Sequence, residues 1–388
     1  MEYRENKRLN ARVSLLGFGG MRFPTDGEGK IREAEAAGML RRALEGGVNY
    51  FDTAHYYHDS QSEGFLGRAL AGVPRDSYYL ATKLPVWKVE SVSDAQEIFD
   101  LQLERLHTGC FDFYLFHALD RKRWQAVKEQ GLVEWAEELQ RQGKIRRLGF
   151  SFHDSYEAFE EILTARQWDF CQLQLNYLDT EEQAGLKGYH LAERMGVPVV
   201  VMEPVKGGLL AAPPEEVEEL LRAARPERTP AGWALRWAAS LPGVLTVLSG
   251  MGSMAQVEEN LATFAGFTPL EPEETELLAR AAAELRRRTN NGCTGCEYCM
   301  PCPAGVDIPE NFSLWNRLAR CRDASLLWCS WNEVLKDEAK GKHCVGCGRC
   351  EEACPQHLPI RADLAPRYDV TVVCADCLQL NENAVTDI

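Results

Sequence analysis

From Val13 to about Phe264, short apolar runs alternate with longer amphipathic stretches. The short runs are VSLLGFGG, VNYFDTA, YYLATKL, FDFYLFH, IRRLGFS, FCQLQLN, PVVVMEPV and VLTVLSG. They are apolar almost throughout, which predicts strands buried on both faces. Between them, a period near 3.6 predicts helices over Arg32–Glu45, Glu63–Leu70, Ala95–Leu106, Val133–Gln142, Tyr156–Leu163, Gly188–Met195 and the Trp233–Ala239 region.

Eight strands in such alternation over roughly 250 residues fit an α/β fold closed as a (β/α)8 TIM barrel. An open doubly wound sheet would be favoured by a glycine-rich dinucleotide turn after the first strand. LGFGGMRF lacks the third glycine and the helix start. Past the barrel, Glu271–Arg288 reads as one charged helix that breaks at Thr289–Gly292. We therefore expect a barrel domain over residues 1–288 and a second, mainly helical domain over 289–388. In that domain two helices, Phe312–Cys321 and Leu326–Ala339, separate two cysteine runs. VTVVCADCLQLNENAVTDI reads as a short strand and a loose tail.

Charge narrows the function classes. A net charge of −15 argues against a nucleic-acid or anionic-membrane surface and would suit a basic electron-transfer protein as partner. No apolar run approaches bilayer length. MEYRENKRLN has no apolar core behind its charges, so a cytoplasmic location is expected.

Cysteine usage changes the picture most. Of 14 cysteines, only Cys110 and Cys171 precede residue 290. Disulfides suit small secreted scaffolds, so metal or cluster ligation is the better reading of the rest. CTGCEYCMPCP places Cys293, Cys296, Cys299 and Cys302; CVGCGRCEEACP places Cys344, Cys347, Cys350 and Cys354. The second run resembles the bacterial ferredoxin pattern residue for residue, with proline after the last cysteine, and the first differs in the final gap. Three thiolates in one loop cap three irons of a cubane, and in two-cluster ferredoxins the fourth cysteine serves the other cluster. The resemblance implies two [4Fe–4S] clusters, one on Cys293, Cys296, Cys299 and Cys354, the other on Cys344, Cys347, Cys350 and Cys302. Structural zinc is the alternative, but it calls for two CxxC pairs per ion. Cys321 and Cys329 read as core residues. Cys374 and Cys377 form a lone CxxC, half a tetrahedral site, with a redox or shared-metal role as the alternative to burial.

Chemistry in such barrels sits at the C-terminal ends of the strands. Asp52 and Tyr57 lie in FDTAHYYH, Lys83 ends ATKL, and His117 ends YLFH. A tyrosine is a weak acid at neutral pH; a nearby ammonium is expected to lower its pKa, a carboxylate to hold that lysine, and a histidine to orient a carbonyl. Singly, each has a plainer reading: Asp52 as a loop cap, Lys83 solvated, His117 as a core histidine. Four at matching strand ends favour catalysis.

FDTA with a tyrosine five residues after the aspartate, then TK, then a strand-ending histidine, resembles the aldo-keto reductase tetrad in chain order. The likeness implies that Tyr57 is the general acid, that Lys83 and Asp52 tune it, that His117 aligns the carbonyl, and that a nicotinamide delivers hydride. It further implies that Ser151, in GFS, and Gln172 bind the nicotinamide carboxamide. Glu259 and Asn260 would meet the adenine, and Gly19, Gly20 and Met21 would line the floor beside the cofactor. Gly207 and Gly208 would approach the phosphates with Lys206, an ordinary tight turn being the alternative.

Departures qualify it. Met202 stands where many members stack a tyrosine on the nicotinamide. SGMGSMAQVEEN offers Gly250 and Gln256 where a basic pair grips the 2′-phosphate of NADP, so the likeness does not extend to an NADP preference over NAD. Phe152 replaces the asparagine usual beside Ser151. Trp87, Phe152 and Tyr177 are candidate pocket walls. With GCTGCEYCMPCPAGVDIPENF, the chain resembles the iron–sulfur subgroup of aldo-keto reductases with a ferredoxin-like domain.

The leading expectation is an oxidoreductase acting on a small carbonyl or alcohol with a nicotinamide and coupled to electron transfer through the clusters. Clusters pass single electrons and hydride carries two; a flavin ordinarily bridges such steps, and no flavin signature is present. Either a further cofactor binds, or the clusters are structural, or they feed the substrate directly. A ferredoxin-driven reductase without nicotinamide, or a non-enzymatic electron-transfer or redox-sensing subunit on a barrel scaffold, are the alternatives.

Overall fold

The computed structural model describes residues 1–288, 290–293, 295–321 and 335–364. The chain divides into two compact units, one of Met1–Pro204 with Gly232–Thr275, the other of Val205–Ala231 with Glu276–Ile388.

The first unit begins with a hairpin of β1 (Tyr3–Asn6) and β2 (Ala11–Ser14). All eight expected strands follow: β3 (Leu16–Gly19), β4 (Tyr50–Asp52), β5 (Tyr79–Leu84), β6 (Phe113–Leu119), β7 (Leu148–Phe152), β8 (Phe170–Gln174), β9 (Val199–Met202) and β10 (Val244–Ser249). Each pairs in parallel with the next, and β10 returns to β3 to close the barrel. The hairpin supplies Leu9, Ala11 and Val13 to a buried layer with Tyr50, Phe113, Phe170 and Val200. The Arg147 guanidinium ties it there by donating to Leu9 O at 2.6 Å and Asn10 O at 3.0 Å. This hairpin lies outside the elements that apolar patterning predicts, because its strands are four residues long and largely polar.

The amphipathic stretches form helices, among them α1 (Glu33–Glu45), α2 (Gln61–Ala69) and α3 (Val92–Arg105). Their sequences also explain their ends, as where Ser91 caps α3 by accepting from Asp94 N. The helix α4 (Arg121–Glu129) is absent from the expected set because RKRWQAVKE buries only Trp124 and Val127. α5 (Leu132–Arg141), α6 (Tyr156–Thr164) and α7 (Gly185–Arg194) follow the expected positions within three residues. α8 (Glu215–Ala224) and α10 (Met254–Phe264) are further additions to that set, flanking α9 (Pro230–Ala239). The charged helix expected over Glu271–Arg288 is α11 (Pro272–Arg287).

In the second unit a small core gathers Val306, Ile308, Phe312, Cys354, Ile360 and Leu364, with the partly buried Cys293, Cys299, Cys302, Cys344 and Cys350 packed on it. Its helix α12 spans Ile308–Leu318, capped by Asp307. Of the helix expected over Leu326–Ala339, the described part is a 3-10 turn, Asp337–Ala339. Cys329, Cys374 and Cys377 lie outside the described residues. Among the described residues no helix is long and apolar enough to cross a membrane.

Candidate active site

Strand alternation aims Asp52 and Lys83 into the barrel interior, where Lys83 is wholly buried and Asp52 is 2% exposed. The Lys83 ammonium donates to Asp52 Oδ1 at 2.6 Å and to the Thr53 carbonyl at 2.8 Å, and it lies 3.4 Å from Tyr57 Oη. Tyr57 comes from the turn after β4 and keeps some exposed surface. The His117 ring on β6 stands 6.1 Å from the Tyr57 ring and 5.1 Å from the Trp87 ring. The structure thus brings the four residues together at one end of the barrel. Trp87 is 40% exposed beside them.

Burial dominates the electrostatics. Desolvation pushes the Lys83 ammonium down, but Asp52 and Tyr57 outweigh it and hold the pKa above its ordinary value. Desolvation likewise raises the Asp52 carboxyl against the pull of Lys83. The pair is in contact at 2.6 Å, so each group offsets part of the desolvation of the other. The Tyr57 phenol lies above its ordinary pKa and not below it as expected: desolvation raises it more than the ammonium lowers it. His117 is held well below its ordinary value by burial first and then by Lys83, His153 and Arg123, so the imidazole is neutral. A neutral ring offers one N–H donor and one acceptor.

A polar network outside the expected site residues supports this end of β5. Fully buried Glu63 on α2 accepts from Thr82 Oγ1 and Gln102 Nε2, both at 2.7 Å, and from Arg105 Nη1 at 3.2 Å. Gln102 Nε2 also lies 3.0 Å from the Lys83 carbonyl. A charged residue on the inward face of an otherwise amphipathic helix is the signal in the sequence that points to it.

The residues assigned to a nicotinamide fit it in part by what they leave unsatisfied. Ser151 and Gln172 are paired neighbours on β7 and β8. Ser151 Oγ accepts the Ala118 N–H at 2.7 Å. Gln172 is 2% exposed; among the described residues its Nε2 reaches only Met202 Sδ at 3.4 Å, and its Oε1 has no partner. Asp52 Oδ2 and His117 Nδ1 are likewise buried and without a partner among the described residues. A group with hydrogen-bonding edges would relieve such atoms. A Cβ at Gly20 would meet the Asp52 carbonyl at 3.0 Å, so the backbone there approaches too closely for a side chain. Met21 is exposed, and Asn260 donates to Ser249 Oγ at 2.8 Å. Glu259 sits half-buried beside it on α10. Gly207 (φ 62°) and Gly208 (φ 101°) lie in the second unit, in a 3-10 segment over Lys206–Ala211.

Three expectations about walls and charge change. Phe152 is fully buried, 5.3 Å from the Phe159 ring of α6, because it shares the outward parity of Phe150 while Ser151 faces inward. Tyr177 is 2% exposed, its hydroxyl buried without a partner among the described residues and its pKa raised by burial. The stem of Arg22 packs against the loop after β10: a Cβ at Gly250 would lie 2.8 Å from its Cγ. Arg22 comes from the loop after β3, far from Gly250 along the chain.

The eight cysteines of the two runs surround two cavities. One, of about 170 Å³, is lined by Cys299, Cys302, Cys344, Cys347 and Cys350. The other, of about 20 Å³, is lined by Cys293, Cys296, Cys299 and Cys354. Cys299 lines both; apart from it, the larger joins Cys302 to the first three thiols of the second run, and the smaller joins Cys354 to Cys293 and Cys296, donor sets suited to cubanes.

Residues 15–283 match the aldo/keto reductase family, and residues 292–358 match a 4Fe-4S dicluster domain. The chain is 27% identical to L-galactose dehydrogenase of Arabidopsis thaliana over 282 residues, which is 68% of this chain and 88% of that protein. It is 32% identical to methylglyoxal reductase YeaE of Escherichia coli over 151 residues, 39% of this chain and 50% of that one. Among solved structures, the holo form of an aldo-keto reductase from Bacillus halodurans superposes with a TM-score of 0.63 at 29% identity, covering 72% of this chain and 96% of that one. An aldo-keto reductase from Klebsiella pneumoniae, solved in complex with NADPH, has a TM-score of 0.60 at 24% identity, covering 72% and 95%, and attests the fold alone.

Proposed function

The chain belongs to the aldo/keto reductase family of oxidoreductases, and on that premise we propose that its barrel interconverts a small carbonyl compound and the corresponding alcohol with a nicotinamide nucleotide. The observation that carries this reading is the buried Asp52–Lys83 pair with Lys83 Nζ 3.4 Å from the Tyr57 hydroxyl. When bound, the nucleotide supplies or accepts the hydride. Tyr57 gives its proton to the carbonyl oxygen, or takes it back in the reverse direction. Lys83 offsets the negative charge that develops on the phenol oxygen, and Asp52 keeps that ammonium in place. Neutral His117 donates a hydrogen bond that orients the substrate oxygen.

Ser151 and Gln172 would hold the carboxamide, with Met202 beside the ring, Gly20 and Met21 under it, and Glu259 and Asn260 at the adenine. Cys293, Cys296, Cys299 and Cys354 would hold one [4Fe–4S] cluster, and Cys302, Cys344, Cys347 and Cys350 the other. Such clusters supply one-electron carriage, and a redox protein is the partner that this carriage implies.

A second reading is supported by the dicluster match: a ferredoxin-driven reductase that needs no nicotinamide. Calorimetric titration of the anaerobically purified chain with NADH and NADPH separates the two. Binding of either, followed by its oxidation in the presence of methylglyoxal or by reduction of added NAD or NADP with L-galactose as hydride donor, supports the first. Absence of binding to both overturns it in favour of the second.

A further inference from the structure

The two cysteine-lined cavities carry opposite charge. Lining the larger one are Arg349 and Arg361, and no acid. Glu297 is the one charged residue described at the smaller. Arg361 is also held in a fixed pose. Its backbone N–H donates to Glu351 Oε1 at 2.8 Å, and its Nε and Nη2 donate to Oε2 at 2.9 and 2.6 Å. So fixed, the guanidinium lies over Gly348, between Cys347 and Cys350: a Cβ there would stand 3.5 Å from both Cζ and Nη1. Gly348 has φ 80°, so a glycine both permits the turn and leaves room for the cation. Nη1 has no partner among the described residues.

We propose that Arg361 is a positioning residue for redox chemistry, raising the reduction potential of the cluster on Cys302, Cys344, Cys347 and Cys350 above that of the cluster on the Cys293 run. The proposal rests on the cluster assignment made above. A cluster becomes more negative on reduction, so a fixed cation lining the same cavity as its sulfur ligands stabilises the reduced form more than the oxidised one. Glu351 offsets part of that charge while aiming it. An added electron therefore resides first on the Arg361 cluster.

The test is a dithionite titration of the full-length anaerobic protein, followed by electron paramagnetic resonance. Two midpoints are expected, and Cys347→Ala identifies the Arg361 cluster as the signal it removes or alters. In Arg361→Gln that midpoint alone falls, the reduced-to-oxidised ratio at fixed potential dropping about tenfold, which is about 59 mV for one electron. In Glu351→Gln it rises, because the offsetting charge is gone; a merely structural role would not move the two variants in opposite directions. Unchanged midpoints, or a shift confined to the other cluster, overturn the inference. If Arg361→Gln loses its cluster, Glu351→Gln decides alone: an upward shift supports the proposal, and none or a downward one overturns it. Wild-type protein without cluster signals overturns the cluster assignment itself and this inference with it.

Discussion

Lys83→Met removes a cation that the barrel interior cannot replace with water. Lys83 and Asp52 are 0% and 3% exposed at their side chains and meet at 2.6 Å. At an effective dielectric of about 20, that contact is worth about 6 kcal/mol of Coulomb energy, against several kcal/mol of desolvation per ion. Methionine keeps the volume of the stem but leaves Asp52 ionised and alone, with a further oxygen already unpartnered. The expected cost is about 3–5 kcal/mol of folding stability at neutral pH. Its pH dependence has a definite sign. Burial already raises the Asp52 pKa, and losing Lys83 raises it further. The penalty is therefore small in acid, where the carboxyl is protonated in both states, and grows as pH rises through the unfolded-state value towards the folded one. The double variant Asp52→Asn/Lys83→Met removes both charges and should recover most of the loss. Turnover should stay about 10²–10⁴-fold down in both, since neither restores the ammonium beside Tyr57. Urea denaturation at several pH values and a carbonyl turnover assay measure the two quantities separately. A single variant as stable as the parent at neutral pH, or a double variant no better than the single, would refute the buried-pair reasoning.

Because burial keeps the His117 imidazole neutral, turnover should show no limb from this residue as pH falls from about 8 to about 6; a limb there that disappears in His117→Asn would contradict it. The loop after Ser249 carries no Lys or Arg, so NADP should not be strongly preferred over NAD, and what NADP affinity exists should depend on Arg22. Arg22→Ala is expected to weaken NADP binding in calorimetry and leave NAD unchanged, whereas a hundredfold NADP preference that survives the substitution would count against both statements. Anaerobically prepared protein should contain about eight iron and eight sulfide per chain, and Cys354→Ser should damage the cluster of the Cys293 run; loss from the other cluster alone would disprove the crossed ligand sets.

What is legible in the sequence follows from how strongly burial constrains it. Eight strands covered on both faces leave near-continuous apolar runs, and polar residues ending those runs, such as Lys83 and His117, stand out against them. The cysteine spacings are legible for a different reason: ligation fixes short loops. Less is readable where the determinant is three-dimensional. The β1–β2 hairpin is short and polar, and RKRWQAVKE offers few apolar residues to a periodicity search. Phe152 resembles a pocket wall until strand register fixes its parity against Ser151. Arg22 reaches Gly250 only through barrel closure, which brings β10 beside β3. The Tyr57 pKa illustrates a limit of motif reasoning: the ammonium is where the motif puts it, yet desolvation is the larger effect.

The claim that this barrel is built for proton transfer to a carbonyl oxygen is tested most directly by Tyr57→Phe. That change deletes one hydroxyl and keeps the ring that packs 6.1 Å from His117. Fold, iron content and nucleotide affinity should match the parent, while single-turnover reduction of methylglyoxal, or of whichever carbonyl the parent reduces, falls about 10²–10⁴-fold. If Tyr57→Phe turns over at near the parental rate, the Asp52–Tyr57–Lys83–His117 arrangement is not the catalytic machinery, and the account is contradicted at its centre.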